Sequence, residues 1–337
     1  MNKKVVFIIA SVLVLVSVGV YILQNRDRGA NVNLQPTGKP LRVAIYNWPG
    51  TFWVEIAHKN GWFAQEGLTV ELIDTNADYY ASLQQVVDGE IDANNFPFFD
   101  FVSYNMNGAD LVAVTISDVS SGIDGLVAVS DVQEVADLAG KRVGVTAGTY
   151  SEYFLDTLLK WNGMTIGDVI MVEVDAENTV SALENGLADA VVSWEPLMSE
   201  AVVKLGANII FDSSEIDGIN GGLWVFSRDF VNERPGDVQA FVRVWARTAD
   251  YIRENPDEAF LYIAEVYGGN VDDVKAYAAL DQILTPDEAK KRLSNSLGFN
   301  SVYGVLRRME SFISPSGSVV DSSIINEMLV KDFIENL

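Results

Sequence analysis

Two stretches of this chain repeat the same order of elements, and the repeat constrains the fold more than any other feature of the sequence. The first contains Asp88-Gly-Glu-Ile-Asp-Ala93 and then the turn Phe96-Pro97. The second contains Asn185-Gly-Leu-Ala-Asp-Ala190 and then Trp194-Glu-Pro196. In both, a strand pattern and a helical pattern precede the shared Gly-x-x-Asp-Ala string. The recurrence of this string at the same place in the same order predicts two similar α/β lobes.

Strand and helix patterns alternate along most of the chain. Alternating or continuous apolar runs predict the strands Leu41–Tyr46, Leu68–Ile73, Asp92–Phe96, Leu111–Ile116, Lys141–Thr146 and Leu223–Phe226. Apolar residues at helical spacing predict the helices Phe52–Asn60, Tyr79–Val87, Glu152–Trp161, Asp237–Glu254 and Pro256–Val266. Thr285 with Glu288 three positions later predicts a further helix N-terminus. The predicted fold class is α/β, with two lobes that each hold a mixed, mainly parallel sheet flanked by helices.

The predicted domain organisation divides the chain into four parts. Residues 1–28 form a membrane anchor or signal segment, and residues 29–40 form a polar spacer without apolar periodicity. Residues 41–123 and 221–337 form lobe 1, and residues 124–220 form lobe 2. Two crossings, near residues 123–129 and 218–226, join the lobes, and the helices after the second crossing are expected to pack on lobe 1.

The N-terminus carries an uncharged apolar run from Val5 to Leu23. A run of this length is able to span a bilayer as one helix, and Lys3 and Lys4 favour a cytoplasmic start. The weak cleavage signal favours an uncleaved anchor over a removed signal peptide, and both alternatives stay open. Either one exports the remaining chain, to the periplasm or to the outer face of the cytoplasmic membrane.

Composition excludes several classes of function. The 337 residues carry a net charge of −24, which opposes nucleic-acid binding because phosphate contacts need basic residues. The absence of cysteine excludes disulfides, thiolate nucleophiles and cysteine-ligated metals, and a single histidine, His58, excludes a histidine-rich metal site. We therefore expect no cofactor, no resident metal and no catalytic residues, and so no enzyme.

Several strings of the chain resemble those of one protein family. They are Leu41-Arg-Val-Ala-Ile45 with Trp48-Pro-Gly50, Glu55–Phe63 with Glu66–Leu72, Asp88–Ala93, Asp137–Val145, Ala190–Pro196 and Tyr251–Ala259. The chain resembles the solute-binding proteins of ABC importers for nitrate, taurine, alkanesulfonates and thiamine-precursor pyrimidines. The resemblance implies a type II periplasmic-binding fold, a ligand in the cleft between hinged lobes, and a permease with its ATPase as partners. We expect a monomer.

Ligands of open α/β sheets lie at the carboxyl ends of the strands, so the loops there hold the candidate residues. Helix N-termini near Asp78 and Thr149 offer free N–H groups, and Gly148 permits close approach to the backbone. The predicted ligand-binding residues are Asn47, Trp48, Asp78, Tyr79, Phe96, Phe98, Asp118, Ser120, Gly148, Thr149, Tyr150, Trp194 and Glu195. Alternatives to ligand binding stay open for three of these residues: hydrophobic packing for Trp48, a surface position for Glu195 and helix capping for Thr149. For Asp92 and Asp189, a turn or cap role is favoured over ligand contact.

The predicted loops contain aromatic residues and carboxylates but no Lys, Arg or His. Carboxylates oppose an anion, so we favour a neutral or cationic nitrogen compound, an aminopyrimidine above others. A sulfonate, taurine or nitrate held by helix N-termini is the alternative. Two other classes stay open: a membrane-tethered sensory module, and a thiamine pyrimidine synthase. The chain resembles that enzyme type at the fold level but lacks the cysteine-rich motif the enzyme needs.

Overall fold

The computed structural model describes residues 34–314 and 322–337. The predicted membrane segment Val5–Leu23 lies outside these ranges. Within them, no helix combines the length and the apolar character needed to cross a membrane.

Strands and helices alternate through the first two thirds of the described chain. The strands are β1 (Pro40–Ile45), β2 (Thr69–Asp74), β3 (Asn94–Pro97), β4 (Leu111–Ser120), β5 (Asp124–Ala128), β6 (Arg142–Val145), β7 (Ile170–Glu173), β8 (Ala190–Trp194), β9 (Asn208–Asp212), β10 (Gly221–Ser227) and β11 (Asp281–Ile283). The helices among them are α1 (Pro49–Phe52), α2 (Val54–Lys59), α3 (Trp62–Gln65), α4 (Tyr79–Val87), α5 (Phe98–Met106), α6 (Tyr150–Trp161), α7 (Thr179–Glu184) and α8 (Leu197–Leu205).

Helices dominate the remainder. They are α9 (Arg228–Glu233), α10 (Pro235–Glu254), α11 (Pro256–Tyr267), α12 (Val271–Leu280), α13 (Pro286–Arg292), α14 (Val302–Ile313), α15 (Ser322–Met328) and α16 (Asp332–Glu335). Short 3₁₀ turns lie at Val135–Leu138, Ile166–Asp168, Ala176–Asn178 and Ser213–Glu215. The predicted cap at Thr285 is confirmed, since its hydroxyl and the Glu288 carboxylate bond reciprocally at the start of α13.

The strands divide into two lobes, as the repeat predicts. In lobe 1, β1 pairs with β2 in parallel, and β11, β4, β10 and β3 form a second run. A parallel bridge between Val43 and Ala93 joins the two runs. In lobe 2, the five strands lie in the order β7-β6-β8-β5-β9. Both lobes mix parallel and antiparallel pairs, which confirms the predicted fold class.

Two crossings connect the lobes. The chain leaves β4 at Ser120 and enters β5 at Asp124, and it leaves β9 at Asp212 and enters β10 at Gly221. The crossings therefore occupy residues 121–123 and 213–220, each beginning before the predicted segment. The reason is that 124–128 and 221–227 are fully paired in their sheets.

The repeated Gly-x-x-Asp-Ala string builds the same contact in each lobe. Asp92 accepts hydrogen bonds from the backbone N–H (2.8 Å), Nε (3.1 Å) and Nη2 (2.5 Å) of Arg42. Asp189 accepts the same three bonds from Arg142, at 2.8, 3.1 and 2.7 Å. Each guanidinium also donates to the carbonyl of the glycine in the string. The string thus ties the start of one strand to the strand beside it.

Three predicted elements differ from the structure. The predicted helix Phe52–Asn60 is divided into α1 and α2, and it begins earlier because Pro49 occupies a first helical position. Strand β4 continues to Ser120, because β10 and β11 pair with its two sides and bury all its residues. Strand β11 lies in a region where the sequence shows only helical patterns.

Candidate ligand-binding cleft

The carboxyl ends of several strands meet between the lobes. In lobe 1, β1, β3 and β4 end at one edge, because β10 pairs antiparallel with both β3 and β4. In lobe 2, the parallel strands β6 and β8 end at one edge, beside the start of β5. Both crossings also pass here, so the candidate site collects residues from the two lobes and from the segments that join them.

A pair of buried carboxyl groups, Asp118 and Asp281, forms the floor of the lobe 1 side. We call them the acid pair; each is 3% exposed, on adjacent strands β4 and β11. Burial raises the pKa of Asp281 well above its usual range, and the charge of Asp118 adds to the rise. Burial also raises the pKa of Asp118, although a hydrogen bond from Ser117 opposes this. The two groups are close enough to hydrogen-bond, and their raised pKa values favour a proton held between them.

Polar neighbours orient Asp118. The Asn95 amide donates to the Ser117 hydroxyl at 2.6 Å, and that hydroxyl donates to Oδ1 of Asp118. Gly50 and Gly222 allow the backbone to pass close by, because a Cβ at either position would overlap this oxygen. A substitution at either glycine would therefore displace the carboxylate.

A second buried group of polar residues spans both crossings. This hinge cluster consists of Ser120 and Asp124, which flank the first crossing, and Ser213 and Asn220, which lie in the second. The Ser120 hydroxyl lies 2.6 Å from both Oδ2 of Asp124 and the hydroxyl of Ser213, and Asn220 Nδ2 donates to Asp124 at 3.3 Å. Burial raises the pKa of Asp124, and the bond from Ser120 opposes the rise. The cluster links the two segments that connect the lobes.

Three buried polar atoms of the cleft lack a hydrogen-bond partner among the described residues. They are Tyr150 Oη, Asn220 Oδ1 and Asp281 Oδ2, the last of which has no donor as long as both carboxyl groups of the acid pair are ionised. Tyr150 Oη lies beside Asp124 and Asn220 without forming a well-aligned bond. Leaving such an atom unpaired costs about 1–3 kcal/mol, so these atoms are suited to meeting polar groups of a ligand.

Aromatic rings stand beside the acid pair. The Tyr46 and Tyr79 rings meet edge to face with centroids 5.4 Å apart. Tyr46 Oη donates to the Asn95 carbonyl at 3.2 Å, and Tyr79 Oη donates to Asp100 at 2.8 Å. Burial raises the pKa of Asp100 to about 6, against the opposing effect of this bond. Trp48 and Trp194 are half-buried at the ends of β1 and β8.

Several predicted residues have structural tasks here. Asp78 caps α4 by accepting from Ala81 N–H at 2.9 Å, and Thr149 caps α6. Glu195 accepts from the backbone and hydroxyl of Ser199, at 3.1 and 3.0 Å, so its carboxylate holds the start of α8. Gly148 has φ +73° and donates its N–H to Glu152 at 2.7 Å.

Other predicted residues lie deeper or further out than the loop pattern indicated. Phe96 is fully buried against Tyr104, and Phe98 is also buried, with its ring near Gly221. Asn47 is exposed, and its N–H donates to Asn76. Asp118 and Ser120 belong to strand β4 rather than to the loop in which the sequence put them, since that strand is longer than predicted. The polar residues of the cleft thus come from strand ends and crossings.

Sequence reasoning missed Asp281, Asp124, Ser213 and Asn220. Asp281 carried no signal, because strand β11 lies among helices and pairs with a strand far away in the chain. Asp124 and Asn220 border the crossings, where two predicted lobes must be connected, and that position was the available signal. No group of three or more His, Asp or Glu residues among those described is arranged to hold a metal ion.

Comparison with known proteins assigns the family. A family model described as NMT1/THI5 like matches residues 51–259, more than half of the 337-residue chain. The chain belongs to the NMT1/THI5-like family. The putative aliphatic sulfonates-binding protein of Bacillus subtilis is 24% identical over 210 residues. These residues cover 60% of this chain and 63% of that protein, slightly less than two thirds of its length.

Solved structures support the same fold for this NMT1/THI5-like chain. The periplasmic aliphatic sulphonate binding protein SsuA from Escherichia coli is 17% identical, with a TM-score of 0.69 over 86% of this chain and 91% of that one. The periplasmic nitrate-binding protein NrtA from Synechocystis PCC 6803 is 14% identical, with a TM-score of 0.68 over 89% and 88%. The likeness confirms the two-lobed periplasmic-binding fold, and the match to the family model confirms the family resemblance.

Proposed function

We propose that this chain is the extracytoplasmic solute-binding component of an ABC importer. Its lobes, residues 41–123 with 221–337 and residues 124–220, close on a small organic ligand and present it to a permease. The observation that carries the proposal is the set of unpartnered buried atoms on Tyr150, Asn220 and Asp281, which come from both lobes and a crossing. A ligand between the lobes satisfies groups from each and so favours closure.

The favoured ligand is a neutral or cationic nitrogen compound, with an aminopyrimidine as the best match. The acid pair and Asp124 are buried, and burial raises all three pKa values; neighbouring carboxylates add to the rise for Asp118 and Asp281, and no cation among the described residues contributes to any of the three shifts. An amino group or protonated ring nitrogen donates hydrogen bonds to such carboxyl groups, and the ring stacks on the aromatic side chains. A ligand of this kind replaces the proton that the acid pair otherwise needs.

A sulfonate, taurine or nitrate is the second candidate. The names of the similar proteins from Bacillus subtilis, Escherichia coli and Synechocystis favour it. The N-termini of α4 and α6 supply N–H groups for an anion. The buried carboxyl groups oppose it, because a second negative charge close to them raises the free energy of the complex.

A thermal-shift screen tests the proposal. The probes are 4-amino-5-hydroxymethyl-2-methylpyrimidine, simple amines, taurine, methanesulfonate and nitrate. A ligand at 100 times its dissociation constant adds ~2.7 kcal/mol to stability, a clear rise in unfolding temperature. Stabilisation by the pyrimidine or an amine supports the favoured ligand; stabilisation by the anions alone selects the second candidate. Chemical conversion of the pyrimidine during incubation would instead support an enzyme.

We further propose that residues 5–23 tether the exported chain to the membrane. Mass spectrometry of the mature protein tests this: an N-terminus at Met1 supports an anchor, and one near Val20 supports a cleaved signal peptide. Copurification with a permease and an ATPase supports import. Copurification with a kinase supports the sensory alternative.

A further inference from the structure

A large cavity lies between the lobes, away from the cleft. Its volume is about 960 Å³, and its walls are helix α6 of lobe 2, the crossing segment 215–217, the turn 297–300 and helix α14. Helix α6 begins at the cleft with Tyr150 and reaches the cavity along its length, ending at Trp161. At 1.5 Å per residue, these two positions are about 16 Å apart along the helix axis. The cavity thus starts at Tyr153, one turn after Tyr150, and extends away from the cleft to Trp161, and Tyr150 is not among its lining residues.

The walls of this cavity present apolar side chains to solvent. Trp161 is 58% exposed and Leu297 is 69% exposed. The Trp161 ring meets Phe299 edge to face at 6.1 Å, and the Phe312 ring meets Tyr153 at 5.6 Å. Apolar side chains that reach solvent in a concave surface are typical of ligand sites, since an apolar ligand there gains burial without much rearrangement.

Two arginines in the cavity lack a carboxylate partner within 4.0 Å among the described residues. Arg307 donates to Asn326 Oδ1 at 3.3 Å, and its Nε is buried and unpartnered. Arg308 lies over the Phe299 ring at 4.6 Å and donates to the Leu297 carbonyl at 2.9 Å. Tyr153, 2% exposed, adds a buried hydroxyl without a partner. The two arginines thus form a local positive charge without a carboxylate partner in the described part of the chain, although the chain as a whole has a net charge of −24.

The acidic residues of the cavity are largely neutralised. Asp156 pairs with Lys160 at 2.6 Å, and Asp217 pairs with Arg292 at 2.5 Å. Glu215 also lines the cavity, but it is exposed to solvent, which weakens its effect.

A second cavity of about 780 Å³ lies beside α10, and its charged residues are paired differently from those of the first cavity. It too is lined by a tryptophan and two arginines, Trp62, Arg243 and Arg247, but Asp250 and Glu254 line it as well. Arg243 is paired with Glu66 at 2.7 Å, and Arg247 donates to Gln65. Its positive charge is thus balanced.

We propose that the cavity between α6 and α14 is a second binding site, which takes an organic anion with an apolar body. The anionic group bonds to Arg307 and Arg308, and the apolar body lies against Trp161, Phe299 and Phe312. Because its occupant contacts both lobes, binding stabilises the arrangement in which α6 faces α14.

Isothermal titration calorimetry with naphthalene-2-sulfonate, naphthalene-2-carboxylate and the neutral 2-naphthylmethanol tests the site. We expect the two anions to bind and the alcohol to bind about tenfold more weakly or not at all, since charge-assisted bonds are lost. The variants R307Q/R308Q and W161A should each weaken anion binding about tenfold or more. The control R247Q, which removes one positive charge beside Trp62 in the second cavity, should leave anion binding unchanged.

Localisation completes the test. Crystals with 4-bromobenzenesulfonate should give an anomalous bromine peak between Trp161 and Arg308. The variant D281N, which changes the cleft, should leave the binding of naphthalene-2-sulfonate unchanged. Unfolding temperatures of all variants show whether a loss of binding reflects loss of the fold; W161A, at an exposed position, guards against that outcome. Equal binding of the alcohol, unchanged affinity in both cavity variants, or a bromine peak only in the cleft would overturn the proposal.

Discussion

At the scale of single residues, we expect the acid pair to determine what the cleft binds. Asp118 and Asp281 are buried together, and burial is the main cause of the raised pKa of each. A carboxyl whose pKa is raised by folding keeps its proton in the folded chain after the unfolded chain has lost it. Its contribution to stability is present below the unfolded pKa and is lost as pH rises through the folded pKa.

The first prediction concerns D281N, which mimics the protonated group at every pH. From about pH 5 to about pH 8, the free energy of unfolding of the wild type should fall relative to that of D281N, because the unfolded chain has lost a proton that Asp281 in the folded chain still holds. Urea unfolding across this range measures it. D257N, at a carboxyl that is 91% exposed, is the control and should follow the wild type. Parallel pH profiles for D281N and the wild type would show that the pair holds no proton.

A second prediction compares two tyrosines whose hydroxyls are buried and unpartnered. Y150F should leave the unliganded chain as stable as the wild type, or stabilise it slightly, because no bond is lost. It should weaken binding of 4-amino-5-hydroxymethyl-2-methylpyrimidine by ~1 kcal/mol, the value of one hydrogen bond to a ligand. Y153F, in the same helix but in the other cavity, is the control for titration calorimetry. Equal effects of both variants on pyrimidine binding would show that Tyr150 does not contact the ligand.

At the scale of elements, the repeated string is the part of the fold that sequence predicts best. The string fixes where each lobe begins a strand, and the order of elements around it followed from periodicity. The arginines that complete the contacts, Arg42 and Arg142, were not foreseen, because nothing in a single sequence links residues 42 and 92. Strand β11 could not be predicted for the same reason. It is only three residues long, and it forms by pairing with β4, which is distant in the sequence.

The third prediction uses the duplicated contact as a matched pair. D92N should destabilise the chain by ~2 kcal/mol, since Asp92 is 6% exposed and its loss leaves a guanidinium short of its partner. D189N should cost less, ~1 kcal/mol, because Asp189 is 24% exposed and solvent screens the pair. Urea unfolding measures both.

The sign of the pH effect differs from that of the acid pair. Hydrogen bonding to Arg142 lowers the pKa of Asp189, so its contribution to stability is present above the unfolded pKa and is lost as pH falls through the folded pKa. The D189N deficit should therefore shrink in acid. A deficit that is constant with pH, or a larger effect for D189N than for D92N, would contradict this account.

At the scale of the whole molecule, two lobes and two crossings make a hinge with a polar core. The fold class and the family resemblance were readable from sequence, because both rest on local patterns and on their order. The site was readable only in part. Trp48, Asp118, Ser120, Tyr150 and Trp194 are site residues predicted from strand-end loops, whereas Asp124, Asn220 and Asp281 are brought to the same edge by the crossings and by β11.

The fourth prediction concerns the hinge. With saturating 4-amino-5-hydroxymethyl-2-methylpyrimidine, small-angle X-ray scattering should show a smaller radius of gyration than the unliganded chain, because a ligand held by both lobes favours closure. Taurine at the same concentration serves as the comparison. A tightly bound ligand without compaction would argue against closure.

The central claim is that buried carboxyl groups select a nitrogen-containing solute. Titration calorimetry of the wild type and D281N with the aminopyrimidine and with taurine tests it most directly. We predict that the aminopyrimidine binds the wild type more tightly than taurine does, and that D281N weakens its binding about tenfold or more, the loss of a charge-assisted bond. Tighter binding of taurine, or an aminopyrimidine affinity that D281N leaves unchanged, would contradict the claim.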